Sequence, residues 1–210
     1  MKTFSTLFFR CFHAPKSALE ELLRSPNFLR YGFFGVLIAI AGYTAMYIFL
    51  TIGHGAPSVF TPWLNISRDE YYAFNRYLLA PSMLLCWFSA GSLVQLLGRL
   101  AGGRGTYEQS MATIGLSIGV AMCFGLLHDL PMSFFSAMGV IDARQHEIDM
   151  NNPTIWRTLL WSAYLLYFVA FLVLFPLAVR ITHRLSWGRS IALGLLSFVV
   201  FQLVFLIFNR

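Results

Sequence analysis

Charged residues are scarce in this sequence. Asp, Glu, Lys and Arg make up 11% of its 210 residues, whereas soluble domains carry about 25%. A chain with so few charges cannot cover a water-facing surface, and this excludes an ordinary soluble domain. The hydrophobic share of 58% and the mean hydropathy of +0.67 indicate a membrane protein instead.

The charges are also absent from five long stretches of the sequence. Each stretch is roughly 19–22 residues long, about the length that an α-helix needs to cross a hydrocarbon core of about 30 Å. A soluble protein can bury one such helix, but five predict an all-α integral membrane bundle of five transmembrane helices. The predicted spans are residues 32–52, 77–98, 110–130, 158–179 and 190–208, so the membrane domain covers residues 31–210.

Cysteine is scarce as well, with only Cys11, Cys86 and Cys123 in the chain. An odd count without metal-ligand spacing indicates neither a disulfide framework nor a metal site. The spans offer hydroxyl and amide groups for interhelical hydrogen bonds, but no acid or base at a spacing useful for catalysis. We therefore expect a non-enzymatic protein without a cofactor, a metal or a nucleic-acid partner.

The distribution of Lys and Arg predicts the orientation of the bundle, because cytoplasmic loops carry an excess of these residues. With a cytoplasmic N-terminus and five alternating spans, ten of the 15 Lys and Arg, from Lys2 to Arg189, lie on the cytoplasmic side. Five, including Arg210, lie on the far side. We predict a cytoplasmic N-terminus and an external C-terminus.

Residues 1–30 form a cytoplasmic amphipathic segment ahead of the first span. The sequence "TFSTLFFRCF", residues 3–12, has apolar residues at helical spacing next to basic ones, which predicts a short interfacial helix attracted to anionic lipid. Pro15 ends this helix, and a capping box of Ser17 and Glu20 is expected to begin a second one. The second helix either packs against the bundle or binds a partner.

The third span ends in an unusual polar pair, His128 and Asp129, followed by Pro131. Ionisable groups at membrane depth are costly and often functional, so the pair could be a proton relay, half of a metal site or a hydrolytic dyad. The alternative, which we favour, is that Asp129 and Pro131 end the helix at the outer water boundary. The apolar residues 132–141 would then form a separate interfacial or re-entrant piece.

The stretch "GRLAGGRGT", residues 98–106, resembles a phosphate-binding loop but lacks the lysine and the hydroxyl at their places. No strand precedes it, and a phosphate loop needs one before its helix. We interpret it as a tight cytoplasmic turn in which Gly102 and Gly103 allow positive φ. Arg104 marks the cytoplasmic face, and Thr106 begins the next helix.

Small residues recur four apart in two spans, at Gly35 and Ala39 in the first and at Gly115 and Gly119 in the third. Such pairs allow helix backbones to approach closely. They predict tight packing within the bundle.

Three stretches carry a resemblance to a known family. They are "APKSALEELLRSPNFLRYGFFGVLIAI", "RYLLAPSMLLCWFSAGSLVQLLGRLAGGRGTYEQSMATIGLS" and "WSAYLLYFVAFLVLFPLAVRITHRLSWGRSIALGLLSF". Together they resemble the Yip-one domain family, the Ypt/Rab-interacting membrane proteins, and in particular its bacterial branch. The resemblance implies five spans and a cytoplasmic N-terminus. Eukaryotic members bind Rab GTPases, but their N-terminal domains are longer than the thirty residues here, so we do not expect Rab binding.

Two functions remain after these exclusions. One is a membrane adaptor or organiser, located in a bacterial inner membrane, that contacts lipids and recruits a protein partner on its cytoplasmic face. The other is a small transporter or lipid-handling protein with a path between the spans. Transporters usually show buried charge or internal repeats, whereas these spans are free of charge and odd in number, so the adaptor is favoured.

Overall fold

The computed structural model describes residues 3–57 and 66–209, and Lys2 and Arg210, which the charge count includes, lie outside them. Within these ranges the chain forms eight α-helices and no strand. The helices are α1 (Phe4–Cys11), α2 (Pro15–Arg24), α3 (Phe28–Ile52), α4 (Tyr71–Leu100), α5 (Tyr107–Ala137), α6 (Ala143–Asp149), α7 (Ile155–His183) and α8 (Trp187–Phe208).

Five of the described helices, α3, α4, α5, α7 and α8, are long and apolar enough to cross a membrane. The predicted all-α bundle of five transmembrane helices is confirmed, and each predicted span lies inside one of these helices. The helices are longer than the uncharged stretches. Their terminal turns are helical too, and these turns carry charged residues such as Arg30, Arg99 and Arg180.

Helix α5 is the centre of the bundle, and every residue from Ser110 to Met122 is buried. It crosses α3 at very short range through glycines. A Cβ atom at Gly35 would lie 2.7 Å from the carbonyl oxygen of Gly115, and one at Gly119 would overlap the backbone of Gly35. Only glycine permits this approach, so the close packing predicted from the small residues is confirmed.

Aromatic side chains fill the contact between α7 and α8. The ring of Phe171 lies 5.2 Å from that of Phe198 and 4.9 Å from that of Phe201. The hydroxyl of Tyr167 donates a hydrogen bond of 3.2 Å to Gln202 Oε1. Aromatic stacking and one polar contact therefore hold the last two spans together.

The structure corrects the predicted end of the third span. Helix α5 continues through Pro131 to Ala137, so Asp129 and Pro131 do not end it and residues 132–141 are not a separate piece. Pro131 lacks an N–H and so removes one backbone hydrogen bond of the helix, but membrane helices tolerate proline without ending there. The chain turns only at Gly139, where φ is +72°.

The two N-terminal helices form a hairpin that packs along the bundle. Helix α2 begins at Pro15 without a side-chain cap, and the Ser17 hydroxyl donates to the Ala14 carbonyl. The predicted capping box is therefore wrong, because proline suits the first helical position and Ser17 already lies inside the helix. Arg10 pairs with Glu21 at 2.8 Å across the hairpin.

The apolar faces of both N-terminal helices are covered by the bundle. Leu19 and Leu22 of α2 are fully buried, on a helix that contacts α5 and α7. The ring of Phe12, just after α1, lies 5.4 Å from that of Phe124 of α5. The second helix thus packs against the bundle, one of the two outcomes left open above.

Candidate functional site

Polar side chains gather at the two ends of the bundle, which we name by position. The N-terminal end comprises residues 3–30, 98–110 and 180–190, and the distal end comprises residues 53–57, 66–76, 126–157 and Asn209. The residues predicted as sites divide between them: Gly102, Gly103 and Arg104 lie at the N-terminal end, and His128 and Asp129 lie at the distal end.

At the N-terminal end, the glycine-rich turn of residues 98–106 wraps around the side chain of His183. A Cβ atom at Gly98 would lie 2.7 Å from the imidazole ring, and one at Gly103 would lie 2.6 Å from His183 Cβ. The amide of Arg104 donates to the His183 carbonyl at 3.3 Å. The turn therefore needs glycine mainly because α7 ends inside it.

The individual glycines of this turn have different roles. Gly102 has a φ of +86°, the conformation that the sequence interpretation required, and nothing lies near the position of its missing Cβ. Gly103 has no positive φ, contrary to that interpretation, and its role is the close approach to His183. Thr106 caps α5 through a capping box with Gln109, which confirms the predicted helix start.

A chain of hydrogen bonds joins three spans around His183. Ser110 Oγ lies 3.0 Å from His183 Nε2 and donates to Gln95 Oε1 at 2.9 Å. His183 Nδ1 is buried without a hydrogen-bond partner among the described residues.

His183 has no recognisable functional signature in the sequence. It stands alone at the end of α7, and its partners Ser110 and Gln95 are more than 70 residues away along the chain. The only signal was indirect: the turn has more glycines than one chain reversal needs.

A groove next to this turn is lined by α2 and the end of α7. Its volume is about 920 Å³, and it is lined by charged, polar and apolar side chains of α2, the turn, α7 and α8. Arg104, predicted as a marker of the cytoplasmic face, is one of five cations in the lining. These are Lys16, Arg24, Arg104, Arg180 and Arg184.

At the distal end, His128 and Asp129 form part of a compact aromatic cluster. Nδ1 of His128 lies 2.8 Å from Asp129 Oδ1, and His128 is buried, with 4% of its surface exposed. Its ring stacks on that of His146 at 5.5 Å, and the edge of Trp156 contacts both rings. The pair is therefore enclosed rather than at a helix end.

His146 and His128 lie in a poorly solvated setting. Burial lowers the pKa of His146, and the neighbouring His128 lowers it further, because a charged imidazole loses hydration and is repelled by a second one. The Nε2 atoms of both rings are buried without a partner among the described residues. The described ranges contain no group of three or more His, Cys, Asp or Glu side chains arranged to hold a metal ion.

Comparison with known proteins agrees with the architecture. A family model described as the Yip1 domain matches residues 9–208. Searches of curated proteins and of solved structures found no match. The match covers the glycine-rich turn, His183 and the distal histidine cluster, and it confirms the family resemblance seen in the sequence. With its five apolar spans, the chain is a multi-pass integral membrane protein that belongs to the Yip1 domain family.

Proposed function

We propose that this protein is a non-enzymatic membrane adaptor or organiser that recruits a protein partner at its N-terminal end. The distribution of Lys and Arg supports a cytoplasmic location for this end, and the resemblance to the bacterial branch of the family supports a bacterial inner membrane. The proposal depends mainly on one observation, the continuous burial of α5 from Ser110 to Met122. A substrate path along the bundle axis would need this central helix to face a cavity, and it faces neighbouring helices instead.

The surface available for a partner is at the N-terminal end. The α1–α2 hairpin, the glycine-rich turn and the loop between α7 and α8 lie next to one another there, joined by contacts such as Arg189 to the Ala101 carbonyl at 3.0 Å. The hairpin is fixed in place by its buried leucines, so its outward face is preorganised for binding.

Site-directed crosslinking in native membranes tests the adaptor. A photoreactive residue is placed at Asn27 or at Gly188, both exposed at the N-terminal end and outside the lining of the groove described above. A side chain added at Gly188 meets no atom within 4 Å. The matched control is Asn151, exposed at the distal end. We expect the same protein adduct from both N-terminal probes and not from Asn151.

Two results would contradict the adaptor. One is crosslinking to lipid alone at all three positions, which leaves no recruited protein. The other is an identical set of protein adducts at both ends, which indicates random collision.

A small transporter or lipid-handling protein is the second candidate. The buried His128, next to Asp129 on the membrane-spanning helix α5, favours it, because ionisable groups within membrane helices often mark a path for protons or ions. Proton flux in vesicles containing the purified protein, absent from empty vesicles and lost in Asp129→Asn, would favour transport over the adaptor.

A further inference from the structure

The groove at the N-terminal end has a strongly one-sided charge. We call it the basic groove and define it by its cations Lys16, Arg24, Arg104, Arg180 and Arg184. Glu20 is the one acid among the described residues of its lining. Cations brought this close repel one another, and an anion between them removes that cost.

The cations of the basic groove form no ion pair with the described residues. Within residues 3–57 and 66–209, the ion pairs within 4 Å are Arg10 with Glu21, His128 with Asp129 and Arg144 with Asp69. None involves the basic groove. The described part of the protein therefore leaves these charges available to a ligand.

Two arginines of the groove have a distinctive local geometry. The Arg180 guanidinium lies 4.3 Å from the ring centroid of Trp187, and such stacking orients its remaining N–H groups. Arg184 ends α7 in the left-handed conformation, with φ of 56°, where glycine is less strained. The backbone does not favour arginine at this position, so a role for its side chain explains why it is there.

The groove also has an apolar part next to its cations. Leu177 and Ile181 of α7 line it together with Leu185 and Trp187, which follow α7 in the chain. From Arg184 to Leu177 the groove follows α7 for about 10 Å, at 1.5 Å per residue. Since α7 is a membrane-spanning helix, a ligand with an anionic head and an apolar body matches this surface. A small soluble anion would use only the cationic part.

We propose that the basic groove binds the phosphate headgroup of an anionic glycerophospholipid. Arg104, Arg180 and Arg184 contact the phosphate, since guanidinium groups bind phosphate oxygens in pairs. The acyl chains leave along Leu177 and Ile181. Basic pockets between membrane helices on the cytoplasmic side are suited to such headgroups. The site does not depend on whether the protein also recruits a partner.

Lipid titration of the purified full-length protein tests the proposal. In a neutral detergent, phosphatidylglycerol is titrated and its Kd is measured, with phosphatidylcholine of the same acyl chains and inorganic phosphate as separate arms. The test variant is Arg104→Gln/Arg184→Gln, which changes two exposed side chains of the groove. The control is Arg30→Gln/Arg99→Gln, which removes the same charge from exposed residues at the same end but outside the groove.

We expect phosphatidylglycerol to bind the wild type and the control with the same affinity. It should bind the test variant about thirtyfold more weakly, because two cations near the lipid phosphate are lost. Phosphatidylcholine and inorganic phosphate should bind weakly to all three proteins. Equal loss in both double variants would overturn the proposal by indicating a diffuse surface charge. Unchanged binding in the test variant would also overturn it. Tight binding of inorganic phosphate would replace the lipid with a soluble phosphate ligand.

The variant Arg184→Gly provides a second measurement if the double variant folds poorly. Glycine is less strained in the left-handed conformation, so this variant should fold at least as well as the wild type. We expect it to bind phosphatidylglycerol severalfold more weakly. A variant that is stable and binds as the wild type does would contradict the role of Arg184.

Discussion

The two ends of the bundle are formed by the same five spans, yet they carry opposite charge. Among the described residues, the N-terminal end has nine Lys and Arg and three acids, a net charge of +6. The distal end has four arginines and six acids, a net charge of −2. The spans between them are almost uncharged, so nearly all of the electrostatic character of the molecule is at its two ends.

The ends also differ in how their charges are used. At the distal end, Arg144 pairs with Asp69, and its Nε donates to the His54 carbonyl at 3.0 Å. These contacts connect loops to one another. At the N-terminal end, the cations of the basic groove form no ion pair within the described residues. The distal end therefore uses part of its charge in contacts between its own loops, whereas the N-terminal end is suited to an external anion.

The buried histidines show the same contrast. His183 is enclosed by glycines and bonded to the hydroxyl of Ser110. His128 and His146 are enclosed by each other and by Trp156, with a carboxylate at one edge. The first arrangement connects three helices, and the second places two titratable rings in contact. The two ends thus predict different responses to mutation and to pH.

The largest expected effect is all-or-none labelling of the two ends. In vesicles of known orientation, Arg104→Cys and Arg184→Cys should react with a membrane-impermeant thiol reagent only from the cytoplasmic side. Asp69→Cys and Asp142→Cys should react only from the other side. The natural cysteines, buried or half-buried, are first replaced by alanine. Reaction of Asp69→Cys only from the cytoplasmic side would reverse the predicted orientation.

The next effect is loss of the fold when a side chain is added to the glycine-rich turn around His183. In Gly103→Val, the new Cβ atom would lie 2.6 Å from His183 Cβ and 2.7 Å from the Gly98 carbonyl oxygen, so the turn and α7 must separate. We expect little folded protein, measured as the monodisperse fraction after extraction in detergent. Gly188→Val at the same end, where the added side chain meets nothing, is the control. A normal yield for Gly103→Val would mean that His183 is not held by the turn.

Much of this architecture could be predicted from local sequence. Spans follow from uncharged stretches because hydrocarbon excludes charge regardless of tertiary context. The start of α5 follows from Thr106 and the residues after it, because a capping box is a local interaction. The crossing of α3 and α5 could be predicted from small residues such as Gly35 and Gly115, because small side chains let a neighbouring backbone approach closely.

The sites could not be predicted in the same way, since they depend on contacts between distant segments. The polar Asp129 and the following Pro131 resemble a helix end, but the neighbouring helices bury Met132 and Ser133 and keep α5 continuous. His183 meets a turn about 80 residues earlier in the chain. The stacking of His146 on His128 requires the loop fold that places α6 beside α5.

The third effect compares one turn from each end. Gly102 and Gly139 both have positive φ, +86° and +72°, and neither has an atom within 4 Å of its missing Cβ. Gly102→Ala and Gly139→Ala should each lower the free energy of unfolding by about 1–2 kcal/mol, the cost of a left-handed conformation for a residue with a Cβ. The melting temperatures in detergent check this. A much larger loss for Gly102→Ala would show that the turn around His183 contributes more than backbone strain.

The fourth effect concerns the carboxylate at the distal end. Asp129→Asn should change stability by less than about 1 kcal/mol, since the amide oxygen can still accept the hydrogen bond from His128. Asp129→Leu, which cannot, should cost about 1–3 kcal/mol by leaving a buried N–H unsatisfied. Equal melting temperatures for the two variants would mean that the His128–Asp129 hydrogen bond does not contribute to stability.

The smallest effect is a pH dependence that arises at the distal end. Burial and His128 lower the pKa of His146 in the folded protein below its usual value of 6.5. Between the folded and the unfolded pKa values, the unfolded chain therefore takes up a proton more readily than the folded protein. The contribution to stability is therefore complete above pH 6.5 and is lost as the pH falls from 6.5 through the pKa of the folded state. The nearby carboxylates Glu147, Asp149 and Asp129 act in the opposite direction, so the shift is limited. We expect the melting temperature of the wild type to fall below pH 6.5, and that of His146→Gln to fall less. If both proteins followed the same curve, the acid sensitivity would arise elsewhere, and the stacked histidines would be a packing contact alone.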